Sequence, residues 1–114
     1  MKTAELTGAA LDWAVAKCEG YEINKMHAFD GERACMGVIG HGYSPSTDWA
    51  QGGPIIEREK ITWTGQSARI CKYFGGHTWQ NLEEFGPSPL IAAMRCYVAS
   101  KLGDEVEIPE ELQP

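Results

Sequence analysis

The run GPSPLIAAMRCYVASKLG (Gly86 to Gly103) constrains the fold of this chain more than any other stretch. Ser88 is a strong N-cap residue. Pro89 follows at the first helical position, where a missing N–H costs nothing, and Gly103 stands where a helix closes. Lys101 in the last turn complements the helix dipole. Leu90, Ile91, Met94, Val98 and Leu102 recur at helical spacing and form the face to be buried, with Arg95 and Tyr97 towards its edges. The spacing predicts a helix over 88–102, and a helix with one apolar face needs a second layer to cover it.

A second helix is expected over 7–19. Thr7 can cap GAALDWAVAKC, and Gly20 sits at the left-handed closing position. Leu11, Ala14, Val15 and Cys18 share one face, widened by Leu6 and Trp13, while Asp12 and Lys17 fall outside it. Between the helices the pattern becomes β-like. ACMGVIG (Ala34 to Gly40) reads as a short strand. IIEREKITW (Ile55 to Trp63) and ARICKYF (Ala68 to Phe74), joined by Thr64-Gly65-Gln66-Ser67, read as a hairpin. Asn81 in NLEEF reads as the cap of one helical turn. The expected fold class is α+β: a small antiparallel sheet packed with two helices, in a single globular domain over 1–103. A short acidic extension, 104–114, follows it.

Charge narrows the function. The net charge is −6, yet the segment from Asp104 to Pro114 holds five acids and no base. The rest of the chain is near neutral, without the clustered Lys and Arg of a duplex-binding surface, so no duplex nucleic acid is expected as partner. Asp12 interrupts the apolar N-terminal run, and no stretch approaches a membrane span, so the expected setting is cytoplasmic and no membrane partner is expected. Cys18, Cys35, Cys71 and Cys96 lack the short spacings of a zinc site and read as small buried thiols. No phosphate-loop or dinucleotide-fold glycine pattern is present, and no cofactor or metal is expected.

The segment GYSPSTDWAQGGPIIEREK (Gly42 to Lys60) is the candidate site. Two prolines restrict it; Ser46, Thr47 and Asp48 are turn formers; Gly52-Gly53 permits unusual backbone. It reads as a rigid loop presenting Trp49. Tyr43, Ser46, Thr47, Asp48, Trp49, Gln51 and Gly53 would supply stacking and hydrogen bonds to a small nucleotide-like ligand. Arg58 or Arg69 would balance its phosphate. Against this stands a structural reading in which Trp49 fills the core and Asp48 and Ser46 close backbone bonds. Trp63, Tyr73, Phe74, Trp79 and Phe85 add aromatic surface from the same central region. No catalytic set is legible from spacing. A hydrolase would have to use Asp48 or Glu57 with His41, whereas the alternating charges of Glu57 to Lys60 read as a solvated strand face.

Three stretches, ELTGAALDWAVAKCEG, YSPSTDWAQGGPIIEREKI and GPSPLIAAMRCYVASKLGDEVEIPEEL, resemble the phage NinX-like family. The resemblance covers about half of the chain and implies an accessory phage protein working in the host bacterial cell. It carries over no catalytic residue. A fold-level similarity to small phage sponge proteins, which oligomerise and sequester nucleotide immune signals, implies a non-enzymatic binder and a homo-oligomer. The alternative is a protein-binding inhibitor of a host enzyme or defence factor, with the acidic extension and a helix surface as its interface.

Overall fold

The computed structural model describes residues 1–20, 38–39, 42–74 and 78–108. In chain order these form a short 3-10 turn (Thr3–Glu5), helix α1 (Gly8–Cys18), strands β1 (Val38–Ile39) and β2 (Gly42–Tyr43), and helix α2 (Trp49–Glu59). Strands β3 (Thr62–Thr64), β4 (Ser67–Phe74) and β5 (Thr78–Phe85) follow, and helix α3 (Pro89–Leu102) closes the set. The fold is α+β, with a three-stranded antiparallel sheet in the order β3-β4-β5 beside a two-residue pairing of β1 with β2. No helix among the described residues is long and apolar enough to cross a membrane.

Helix α3 forms as its caps dictate. Ser88 Oγ accepts the Ile91 N–H at 3.1 Å, Pro89 opens the helix, and Gly103 closes it with φ +89°. The helix is buried on more than the expected face: Ala92, Ala93, Cys96 and Ala99 are interior, and so is Tyr97, which the helical spacing placed at an edge. The reason is position. Helix α3 has α1, α2 and the sheet packed around it, so small alanines let neighbours approach on several sides. Helix α1 ends at Glu19 and Gly20, the latter at φ +81° with its N–H on the Lys17 carbonyl. Asp12, expected outside the apolar face, is buried instead.

Two expectations about the middle of the chain are overturned. The segment expected as a loop becoming a strand is helix α2, carrying Gly52, Gly53 and Pro54 within it. The hairpin exists, but its first strand is only Thr62–Thr64, and Gly65-Gln66 forms a two-residue turn between Thr64 and its partner Ser67. NLEEF is not a helical turn; it is the second half of β5, with Leu82 opposite Ile70. Ladder pairing along all eight residues of β5 outweighs the local capping preference of Asn81. Of the expected 34–40 strand, Val38–Ile39 is strand and the remainder lies outside the described residues.

Beyond α3 the chain returns to the N-terminus. Thr3 donates its N–H to Asp104 and its hydroxyl to Gly103, while Met1 and Val106 exchange backbone bonds. Val106 and Ile108 are thereby buried in the core.

Candidate functional site

The segment from Ser44 to Gln51 is organised by hydrogen bonds that begin in its own sequence. Asp48 caps α2, its Oδ1 accepting the Ala50 N–H at 2.9 Å. Its other oxygen accepts from Gln51 Nε2 at 2.9 Å, and Gln51 Oε1 in turn accepts the Ser44 N–H at 2.9 Å. Two polar side chains of the expected ligand set, Asp48 and Gln51, therefore bond backbone of their own segment. Ser46 is interior, donating its N–H to Asp12, and Tyr43 is interior beside Ala16. Thr47 is exposed, with its hydroxyl 3.5 Å from the Ser44 carbonyl.

The glycine pair has a packing role. A Cβ on Gly52 would stand 2.5 Å from the Pro45 carbonyl oxygen and 2.6 Å from Leu90 Cδ1. Only glycine lets α2 lie this close to the 44–47 turn and to α3. Gly53 precedes Pro54, and lacking a Cβ it avoids the clash that proline imposes on a helical predecessor.

Trp49 does not fill the core. It is 48% exposed at the first position of α2, and its ring centroid lies 5.8 Å from that of Trp63, tilted by 54°. Trp63, on β3, is 45% exposed. The two indoles form a surface aromatic pair of the kind that holds planar rings.

Around Trp63 the sheet register arranges polar groups. Thr62 lies opposite Arg69, which lies opposite Glu83; Thr64 lies opposite Ser67, which lies opposite Phe85. By strand alternation these six share one face, whereas Trp63 and the buried Ala68 belong to the other. Thr62, Thr64, Ser67 and Arg69 line a hollow of about 370 Å³, with Trp63 at its edge. Three hydroxyls and a guanidinium beside an indole are suited to the oxygens and ring of a sugar phosphate.

The two candidate arginines differ sharply. Arg69 is exposed and rests against Glu83 at 3.2 Å, an ion pair of little net worth that a phosphate can displace. Arg58 is held by Glu19 at 2.5 and 3.2 Å, by Glu59 at 2.9 Å and by the Tyr97 hydroxyl at 3.1 Å, and it lies over the Tyr97 ring. Its hydrogen bonds to Glu19 and Glu59 hold its charge on more firmly than usual. Arg58 thus joins α1, α2 and α3, and the geometry leaves Arg69 as the phosphate candidate.

Of the expected set, the structure pairs Trp49 with Trp63 and sets Arg69 on the opposite face of the sheet, beside the hollow. It commits Tyr43, Ser46, Asp48, Gln51 and Arg58 to internal contacts and puts Gly53 inside a helix. Thr62, Thr64 and Ser67 are the groups that sequence reasoning missed. Their signal was the polar alternation either side of the hairpin turn. His41 and His77 lie outside the described residues. Cys18 is a partly buried thiol whose pKa burial pushes up to about 12, and Cys96 is interior.

Among known proteins, the family model described as "Bacteriophage P22, NinX" matches residues 2–101. Comparison with curated proteins gives no match.

Proposed function

The chain belongs to the Bacteriophage P22 NinX family, and from that premise we propose that this phage accessory protein holds a small nucleotide-like ligand without converting it, in the cytoplasm of the host cell. The observation that carries this reading is the exposed Trp49–Trp63 pair adjoining a hollow with three hydroxyls and Arg69. A ligand lying across the β3 edge of the sheet stacks its base on the indoles on one side and meets the hydroxyls with ribose or phosphate oxygens on the other, where Arg69 exchanges Glu83 for the phosphate. The hollow is open, so a second copy of the chain supplies the missing wall and the working form is a homo-oligomer. Sequestration of a nucleotide immune signal requires tight, preorganised binding and no transition-state machinery.

The test is calorimetry of the protein with cyclic dinucleotides and ADP-ribose isomers, paired with light scattering and with chromatography of the recovered ligand. Micromolar or tighter binding, lost in Trp49→Ala, with ligand recovered unchanged, supports the reading. Absence of binding across the panel overturns it, and a chemically altered ligand favours a hydrolase.

A second reading, a protein-binding inhibitor of a host factor, is favoured by one observation. Trp49, Trp63 and Phe85 are large apolar side chains that stand 48, 45 and 61% exposed. Aromatic residues on open surfaces are typical anchors for another protein. A stoichiometric host partner captured by the wild type and lost on Trp63→Ala or Phe85→Ala selects this reading.

A further inference from the structure

Arg95 differs from the other described arginines. Arg58 and Arg69 hold carboxylates, whereas Arg95 has none within salt-bridge reach among the described residues. Its Nε donates to the Leu6 carbonyl and its Nη1 to the Phe85 carbonyl, each at 2.7 Å. Two backbone acceptors therefore fix the plane of a half-buried guanidinium and leave the Nη2 donors without a partner among the described residues. In a chain of sixteen acids, a rigid cation with unused donors calls for an anion from outside.

The space for one is present. Arg95 lines a hollow of about 400 Å³ with Gln66, Glu84, Phe85, Gly86 and Pro87. The Phe85 ring stands exposed there. Burial raises the Glu84 carboxyl above its usual range, with Asp104 adding to the shift and Arg95 opposing it.

This hollow and the Arg69 hollow flank the same turn. Thr64 and Ser67, which bracket Gly65-Gln66, line the first; Gln66 lines the second. Phe85 is the register partner of Ser67, and the Gly86 N–H bonds the Gln66 carbonyl at 2.9 Å. Strand spacing puts Arg69 roughly 8 Å from Phe85 along the sheet diagonal. A cation on either side of the turn, each lining its own hollow, suits a ligand with two separated anionic groups.

We propose that the ligand site continues around the Gly65-Gln66 turn and takes a dinucleotide-type molecule, with one anionic group on Arg69, the second on Arg95 and a planar base against Phe85. The inference rests on the reading of the Trp49–Trp63 face as a nucleotide site, and its test separates the two. Titration calorimetry compares cyclic diadenylate with adenosine 5′-monophosphate on the wild type, Phe85→Ala, Arg95→Lys and Trp49→Ala. Phe85 is exposed, so its truncation leaves the fold intact even if Arg95→Lys loosens it.

The wild type is expected to hold the dinucleotide about tenfold or more tightly than the mononucleotide, the increment of one charge-assisted contact. Phe85→Ala and Arg95→Lys are expected to erase that advantage, and Trp49→Ala to weaken both ligands. Equal wild-type affinities, or an advantage that survives Phe85→Ala, overturn the second subsite while the nucleotide site stands. Failure of both probes to bind the wild type overturns both.

Discussion

Ser46 donates its backbone N–H to the Asp12 carboxylate across 2.9 Å inside the protein, joining α1 to the turn that begins α2. A buried carboxylate with a backbone donor and no cationic partner among the described residues is a poor place for a charge. Burial raises the Asp12 carboxyl above its ordinary 3.8, and the Ser46 hydrogen bond opposes that shift without cancelling it. The contact places the start of α2, and with it Trp49, so the charge state of an interior acid bears on the geometry of the candidate site.

Replacing Asp12 by Asn keeps an acceptor for the Ser46 N–H and removes the charge. Because the folded pKa is raised, the folded state holds the proton longer. The wild type is therefore most favoured below 3.8 in this respect and loses that contribution as pH climbs through the folded value. Asp12→Asn is expected to flatten this part of the profile and to equal or exceed wild-type stability at neutral pH. Asp12→Ala, which strands the Ser46 N–H, is expected to cost about 1–3 kcal/mol. Urea unfolding across the acid-to-neutral range reads both; a profile unchanged in Asp12→Asn refutes the assignment.

Glu19 titrates with the opposite sign. Burial alone would raise its carboxyl, but hydrogen bonds from Arg58 and Tyr97 overcome this and pull it below the usual 4.5. Its contribution is thus present above 4.5 and is lost as pH falls through the depressed folded value. Glu19→Gln is expected to cost about 1 kcal/mol at neutral pH, a modest figure because solvent reaches Arg58. The gap from wild type should close on acidification. A gap that persists at low pH shows that packing, not charge, is responsible.

The terminal helices were legible because their signals are local: Ser88, Pro89 and Gly103 act within a turn of themselves, as does Gly20. Helix α2 was hidden by Gly52, Gly53 and Pro54, each a poor helix former. It forms because Asp48 caps it and because Ile55 and Gly52 pack inward. Asp48 followed three residues later by Gln51 was a readable start signal, masked by the breakers. The burial of Asp12 was not readable, since its partner is thirty-four positions away. The pairing of Trp49 with Trp63 was not readable, since Trp63 comes from β3 rather than from the segment that carries Trp49. Arg58 and Arg69 look alike in sequence, and only tertiary partners distinguish them.

The close approach at Gly52 gives a sharp stability test. A methyl group there meets the Pro45 carbonyl oxygen and Leu90 at distances no real Cβ adopts. Leu90 can turn, but the carbonyl belongs to a turn fixed by Asp12 and Gln51. Gly52→Ala is expected to destabilise by about 1–3 kcal/mol despite alanine's higher helix propensity. Thermal melts of the variant check it, and a variant as stable as the wild type would mean that α2 can shift away from the turn.

The Trp49–Trp63 pair separates binding from folding. Both rings are about half exposed, so Trp49→Ala forfeits only part of an aromatic side chain's burial and one ring contact, together about 1 kcal/mol. A buried tryptophan would cost about 3–5 kcal/mol on the same change. Trp49→Ala is therefore expected to melt close to the wild type while losing the binding assigned to this face. Tryptophan fluorescence offers an independent check: acrylamide should quench a large share of the wild-type signal, and that share should fall when Trp49 and Trp63 are both replaced by Phe. A large loss of stability in Trp49→Ala, or a wild type shielded from acrylamide, would place these indoles inside a packed interface and remove the stacking surface on which the nucleotide reading depends.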